Sequence, residues 1–147
     1  MLSLILALIL GLQGTTNLSH STSFVVFPQD CNANPPMLFG GKVLAEMDRC
    51  AGITTRRFLY SSPTGARDAV TKSMAVTFQR SAQVKDLVIV TGKVTKVGDT
   101  SITLHMTAER ETAAGRETLV EGDFVFVAYD LEKKTSVVHG IKLQVSP

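Results

Sequence analysis

The chain has 147 residues, of which 44% are hydrophobic and 19% are charged, and its formal net charge is +2. This length predicts one domain with a sizeable core. The basic residues form no dense block, so we expect no nucleic-acid partner. The two cysteines, Cys31 and Cys50, match neither a disulfide framework nor a zinc site. We therefore expect free thiols in a reducing compartment, the cytoplasm.

Residues 1–20 open with the apolar run MLSLILALILGL, and the first basic residue of the chain is Lys42. The run is shorter than the roughly 20 apolar residues that span a bilayer. It also lacks the positive start and the small-residue cleavage site of a signal peptide. It predicts an apolar N-terminal extension, either a helix packed on the domain or a weak export or anchor signal, which leaves membrane contact open. The single domain is expected to occupy residues 21–147.

The first predicted strand is STSFVVFP, residues 21–28, and the turn-rich loop QDCNANPPM follows it. A helix is predicted from the double glycine Gly40–Gly41 onward. Its apolar residues recur at steps of one, three or four and form one face: Val43, Leu44, Met47, Ala51, Thr54 and Phe58. Its charged residues form another face, which we expect solvent to cover: Lys42, Glu46, Arg49 and Arg56.

After the loop SSPTGARD, residues 61–68, the chain alternates apolar and polar residues as strands do. The predicted strands are AVTKSMAVTF, DLVIVTGKVTKV, ITLHMTAERET and TLVEGDFVFVAYD, with SVVHGI as a short last strand. Turns this short join antiparallel neighbours. The helix must cover its apolar face, and the sheet offers the only surface for it. The predicted class is α+β, a long central helix wrapped by a curved, mainly antiparallel sheet of five or six strands, the hotdog arrangement. An α+β sandwich with the helix on one side is the alternative.

A stripe of small residues lies between the two faces of the helix: Gly41, Ala45, Asp48, Gly52 and Thr55. Small side chains by themselves indicate close packing against a strand. Asp48 differs because an unpaired buried charge is costly, so this carboxylate needs either a structural partner or a chemical role. Beside a water molecule it can act as a general base. The free N–H groups at the helix start can stabilise the oxyanion of acyl transfer.

No serine, cysteine or lysine has an evident base beside it, so hydrolysis by water is favoured over a covalent intermediate. The three histidines, His20, His105 and His139, are scattered along the chain, and we expect none of them to bind a metal. The sequence thus calls for neither a metal nor a cofactor.

Four segments resemble the acyl-CoA thioesterases of the hotdog superfamily. DCNANPPMLFGG and KVLAEMDRCAG are similar to that family's D-T-N-A-N-G-x-I-F-G-G and M-D-x-x-A-G, EGDFVFVAYD to its ATFTFVAVD, and VTFQRSAQVKDLV to its MTFLKPVxVGDVV. The similarity runs from about residue 23 to residue 130. It implies an acyl-CoA substrate, with CoA as part of the substrate rather than a cofactor.

By this resemblance Asp48 is the general base that activates water, and Gly41, with Gly40 and Phe39 beside it, binds the thioester carbonyl. Family sites form between two subunits, which implies a homodimer or a dimer-based tetramer or hexamer.

The resemblance also implies a role for an asparagine before the F-G-G, and both Asn32 and Asn34 match it. The segment NPPML is one residue longer than its family counterpart, so the choice between them stays open. Arg56, Arg57 and Arg80 match basic positions of relatives and are candidates for contacts with CoA phosphates.

Two other functions remain as alternatives. The hotdog hydratases and dehydratases of fatty-acid synthesis have a helical glutamate that aligns with Glu46, but Val26 stands where they need a histidine. An acyl-CoA-binding protein without hydrolytic activity is the second alternative, although binding alone does not require Asp48.

Overall fold

In the computed structural model, described for residues 18–32 and 34–143, one long helix packs against a curled sheet. The helix, α1, spans Gly40–Leu59. The strands are β1 (Ser19–Val25), β2 (Cys31–Asn32), β3 (Met37–Leu38), β4 (Ala69–Phe78), β5 (Leu87–Val97), β6 (Ser101–Thr112), β7 (Gly115–Asp130) and β8 (Thr135–Ser136). A short 3-10 turn, Pro28–Asp30, precedes β2.

The main sheet has the strand order β1-β5-β6-β7-β4, and every pairing in it is antiparallel. β8 adds to the end of β7, and β2 and β3 form a separate two-stranded hairpin. The predicted hotdog arrangement, with one long helix and a curved antiparallel sheet, is confirmed. β1 begins at Ser19, two residues before the expected start of the domain. The predicted extension lies, up to residue 17, outside the described residues.

The core lies between α1 and the concave face of the sheet. In β5 and β6 alternate residues are buried, as period-two patterning requires. The largest fully buried side chains of the helix are Phe58, Met47 and Leu59, and they meet Ile102, Leu104, Met106 and Phe124 of the sheet. Cys31 and Cys50 carry free thiols, and burial raises the pKa of Cys50. Within the described part of the chain, no helix combines the length and apolar character needed to cross a bilayer.

The prediction that Glu46 is solvated was wrong, since only 9% of the residue is exposed. Lys42 Nζ lies 2.7 Å from Glu46 Oε1, and Arg49 Nη1 lies 3.1 Å from Glu46 Oε2. Both carboxylate oxygens therefore have cationic donors, which makes the burial of the charge tolerable. The hydrogen bond to Glu46 also raises the pKa of Lys42.

Strand β4 forms one edge of the sheet, and eight of its ten residues are exposed. Its pairing with β7 shifts register between Thr71 and Ser73, so Lys72 is an extra residue, a β-bulge. Thr71 pairs with Phe126 and therefore faces the helix, as Met74 does through its pairing with Phe124. Two side chains three residues apart thus share the concave face.

The C-terminal segment packs over the end of the helix through His139. This imidazole is fully buried, lies edge-on to the Phe58 ring, and accepts the Ile141 N–H at 3.0 Å through Nδ1. The Ser62 hydroxyl donates to the His139 carbonyl at 2.7 Å. The expected strand SVVHGI is mostly irregular, because β8 ends at Ser136.

Candidate active site

The first turn of α1 has unused hydrogen-bond donors. Phe39 is the N-cap residue, makes no side-chain cap, and accepts the N–H groups of Lys42 and Val43 through its carbonyl. Among residues 18–32 and 34–143, the N–H groups of Gly40 and Gly41 meet no acceptor. They lie at the positive end of the helix dipole, where developing negative charge is stabilised.

Two phenylalanine rings flank these glycines. A Cβ added at Gly41 would collide with the Phe39 ring, 2.9 Å from Cζ, and one added at Gly40 would lie 3.2 Å from Phe78 Cε1. Both rings are about half-exposed, at 52% for Phe39 and 51% for Phe78. A larger residue at either position would therefore have to displace a half-exposed ring, whereas glycine lets both rings lie against the helix start.

An open cavity of about 360 Å³ adjoins Gly40. Its lining combines apolar residues with a polar stretch that follows β4: Leu38, Val43, Phe78, Ala82, Leu119 and Val120, with Gln79, Arg80 and Ser81. The volume is within the range of small-molecule sites.

Asp48 lies on α1, two turns after Gly41, with its side chain directed toward β4. The Thr71 hydroxyl donates a hydrogen bond of 2.8 Å to Asp48 Oδ1. The carboxylate is partly buried, and this is its one hydrogen bond to a described side chain. The bond orients the group and leaves Oδ2 available to accept a proton from water.

Gly41 and Asp48 of one chain are too far apart to act on the same carbonyl group. Seven residues of α-helix separate them, which corresponds to about 10 Å along the axis. An oxyanion donor and a base must both lie within roughly 3 Å of the atoms they act on. One chain therefore presents the two parts of a hydrolytic site without joining them.

The two candidate asparagines are both exposed. Asn32 is in β2 and pairs with Met37, in the strand that leads directly into the helix, whereas Asn34 is in the turn of that hairpin. Neither has a side-chain hydrogen bond to a described residue, so the choice between them stays a prediction.

The three candidate arginines lie in different places. Arg57 Nη1 donates to His20 Nδ1 at 2.9 Å, and burial together with this positive charge lowers the pKa of His20. Arg56 lines a cleft of about 200 Å³ with Arg67, beside Gly52. Arg80 lines the cavity next to Gly40. These three side chains do not form one cluster.

Two contributors were not identified from the sequence, Thr71 and Phe78. Strict alternation through AVTKSMAVTF places Thr71 on the face opposite Met74, and the bulge at Lys72 reverses this. The signal of this bulge in the sequence was Lys72, a lysine on a strand face that is otherwise apolar. Within the described segments, no three side chains of His, Cys, Asp or Glu converge as metal ligands.

Comparison with known proteins shows which family has a similar sequence and fold. An uncharacterized acyl-CoA thioester hydrolase of Zymomonas mobilis is 29% identical over 112 residues, which cover 75% of this chain and 71% of the relative. An acyl-CoA hydrolase from Staphylococcus aureus, solved with butyryl coenzyme A, coenzyme A and coenzyme A disulfide, is 25% identical with a TM-score of 0.72; the match covers 87% of this chain and 76% of that one.

A hexameric thioesterase from Yersinia pestis is 26% identical with a TM-score of 0.68, and the match covers 80% of this chain and 92% of that one. Residues 36–115, more than half of the chain, match the model of the thioesterase superfamily. The chain therefore belongs to the thioesterase superfamily.

Proposed function

We propose that this chain hydrolyses acyl-CoA thioesters to the free acid and CoA, with Asp48 as general base. The observation that carries the proposal is the Asp48 carboxylate, held by Thr71 on a helix whose first N–H groups are free. The relatives support the substrate class, since the Zymomonas mobilis and Staphylococcus aureus proteins are named acyl-CoA hydrolases. Solved variants of the S. aureus enzyme replace an asparagine, an aspartate or a threonine by alanine. These are the residue types of the candidate asparagines, of Asp48 and of Thr71 in this chain.

In the proposed reaction, Asp48 accepts a proton from water as the water oxygen bonds to the thioester carbon. The carbonyl oxygen becomes an oxyanion and accepts hydrogen bonds from the N–H groups of Gly40 and Gly41. The carbon–sulfur bond then breaks, the CoA thiolate leaves, and the proton held by Asp48 passes to it. Water is consumed, and the acid and CoA are released.

We propose that the site is completed by a second copy of the chain. A twofold rotation about an axis near Leu44 and Ala45, midway between Gly41 and Asp48, places Gly41 of one copy against Asp48 of the partner subunit. The exposed β4 edge offers unpaired backbone groups for such a contact, with Met74 and Phe78 half-exposed on it. Solved relatives that are hexameric support an assembly built from such pairs.

The test is release of free thiol from acetyl-, butyryl-, hexanoyl- and palmitoyl-CoA by the wild type and by Asp48→Asn. We expect hydrolysis by the wild type and a loss of kcat of about 10²- to 10⁴-fold in the variant. Asp99→Asn is the control, because Asp99 lies in the turn between β5 and β6, outside the candidate site. Equal kcat for Asp48→Asn and the wild type would remove the mechanism.

The two alternatives make different predictions. A binding protein would retain acyl-CoA affinity and release no thiol. A hydratase would add water to an enoyl thioester and depend on Glu46, but both oxygens of this carboxylate already accept from Lys42 and Arg49. Val26, at the position where hydratases carry a histidine, is fully buried and has no proton to transfer.

A further inference from the structure

The cavity beside Gly40 has a rigid apolar floor. Leu119 and Val120 of β7 and Ala82 of the segment that follows β4 are at most 1% exposed, and all three line the cavity. These three side chains are called the floor below.

A β-bulge creates this floor. The pairing of β6 with β7 shifts between Ala108 and Glu109, which leaves Leu119 as an extra residue, and two consecutive side chains of β7 are buried as a result. The Leu119 carbonyl accepts the N–H groups of Gln79 at 2.7 Å and Arg80 at 3.2 Å. The Ala82 carbonyl accepts the Leu38 N–H at 2.8 Å. Backbone hydrogen bonds therefore fix the depth of the cavity.

The polarity of the cavity changes from its floor to its mouth. Gln79, Arg80 and Ser81 are exposed at the mouth, whereas the floor is apolar. Gly40, whose free N–H is proposed to bind the thioester carbonyl, is part of the same lining. A group bonded to that carbonyl and extending away from the CoA would enter here, and an acyl chain has the apolar character that the floor requires.

We propose that this cavity is the acyl pocket and that its floor restricts the enzyme to short- and medium-chain acyl groups. The inference rests on the proposed function. The floor closes the cavity opposite its mouth, so an acyl chain that has reached the floor gains no further apolar contact.

The test measures binding of S-(2-oxoalkyl)-CoA thioethers, which keep a carbonyl group but cannot be hydrolysed, with acyl parts of 2 to about 16 carbons. Acyl-CoA thioesters with the same acyl chain lengths are assayed for hydrolysis. Val120→Ala deepens the cavity, and Ala82→Val makes it shallower. Val94→Ala is the matched control, because Val94 is also buried, at 3% exposure, but does not line the cavity. Thermal melting of each variant checks its folding.

For the wild type, affinity should rise about fourfold per carbon over the short and medium chains and then stop rising. Val120→Ala should extend this rise by one or two carbons, Ala82→Val should shorten it, and Val94→Ala should keep the wild-type limit. Affinity that keeps rising to the longest chains, or floor variants with the wild-type limit, would overturn the inference. A normal binding series without hydrolysis of any acyl-CoA would refute the proposed function and leave the acyl pocket standing.

Discussion

Thr71 and Asp48 join the edge strand of the sheet to the central helix through a hydrogen bond of 2.8 Å. The threonine donates, so it fixes the direction of the carboxylate. We predict that Thr71→Val lowers kcat by ten- to a hundredfold with little change in KM, because it frees the base to rotate away from the attacked carbon.

Thr71→Ser keeps the hydroxyl group and is the matched control, with kcat within a few-fold of the wild type. Steady-state thiol release separates kcat from KM for both variants. Wild-type kcat in Thr71→Val would show that Asp48 needs no donor from β4.

Gly41→Ala tests the helix start. The new Cβ would collide with the Phe39 ring, and it would stand where the thioester oxygen approaches the free N–H. We expect kcat to fall by about 10²-fold, the effect of losing one oxyanion donor.

Gly52→Ala is the comparison, since a Cβ there has its nearest atom, Phe126 Cε1, at 4.0 Å. This variant should fold with slightly higher stability, because alanine is the better helix former. If Gly41→Ala keeps full activity, the N–H of Gly41 does not contact the substrate.

If two copies pair through β4, a substitution that separates them should lower both the molecular mass of the assembly and its activity. Met74→Glu places a charge on the concave face of the edge strand, where the side chain is 43% exposed. Sedimentation velocity should show a single chain, and thiol release should fall to the level of the Asp48 variant, because each site needs two copies.

Val25→Glu is matched to this change, since Val25 is also 43% exposed but lies on β1, the opposite edge of the sheet. It should leave the pair intact. A dimeric and active Met74→Glu variant would place the contact elsewhere.

The sequence predicted the helix, the long strands and the small-residue stripe because each has a strong period of its own. It did not predict the direction of Thr71, which depends on one extra residue at Lys72, or the burial of Glu46, which depends on two cations on the same helix. A register shift is a tertiary feature that a local pattern does not contain. The two ion pairs of Glu46, by contrast, have the i,i+4 and i,i+3 spacing of a helix, so the sequence did contain that signal. The contact between Phe78 and Gly40 was not predicted either, because it joins segments that are far apart in the sequence.

His139 supplies a test of stability away from the site. Its buried ring packs on Phe58, and its Nδ1 accepts the Ile141 N–H. We predict that His139→Ala lowers the free energy of unfolding by about 2–4 kcal/mol, through a cavity and an unpaired N–H.

Urea denaturation measures this loss. His20→Ala is the control, because His20 is only half-buried, and its loss should cost less than about 1 kcal/mol. Equal midpoints for the two variants would mean that the C-terminal segment is not held by His139.

His105 makes stability depend on pH. Its Nδ1 lies 3.0 Å from Asp123 Oδ1 and its Nε2 lies 2.9 Å from Glu121 Oε1, and these hydrogen bonds, that of Asp123 first, raise the pKa of His105 above 6.5. A raised pKa stabilises the folded state fully below the unfolded value, and this contribution is lost as pH rises through the folded value.

Relative to His105→Gln, the wild type should therefore lose stability as the pH rises above 6.5. The loss should stay under about 1 kcal/mol and shrink in high salt, since all three groups are substantially exposed. Urea midpoints across this range provide the measurement. A difference that grows with pH would contradict the assignment.

The extra residue at Lys72 divides β4 into two parts with different roles. Residues 69–71 carry the donor to the base, and residues 73–78 carry the exposed apolar side chains proposed to meet a second copy. Because a bulge interrupts the ladder between them, changes in the longer part need not turn Thr71. Substitutions in the longer part can thus weaken the pairing of subunits without turning the carboxylate, so that an inactive variant of this kind keeps an intact base.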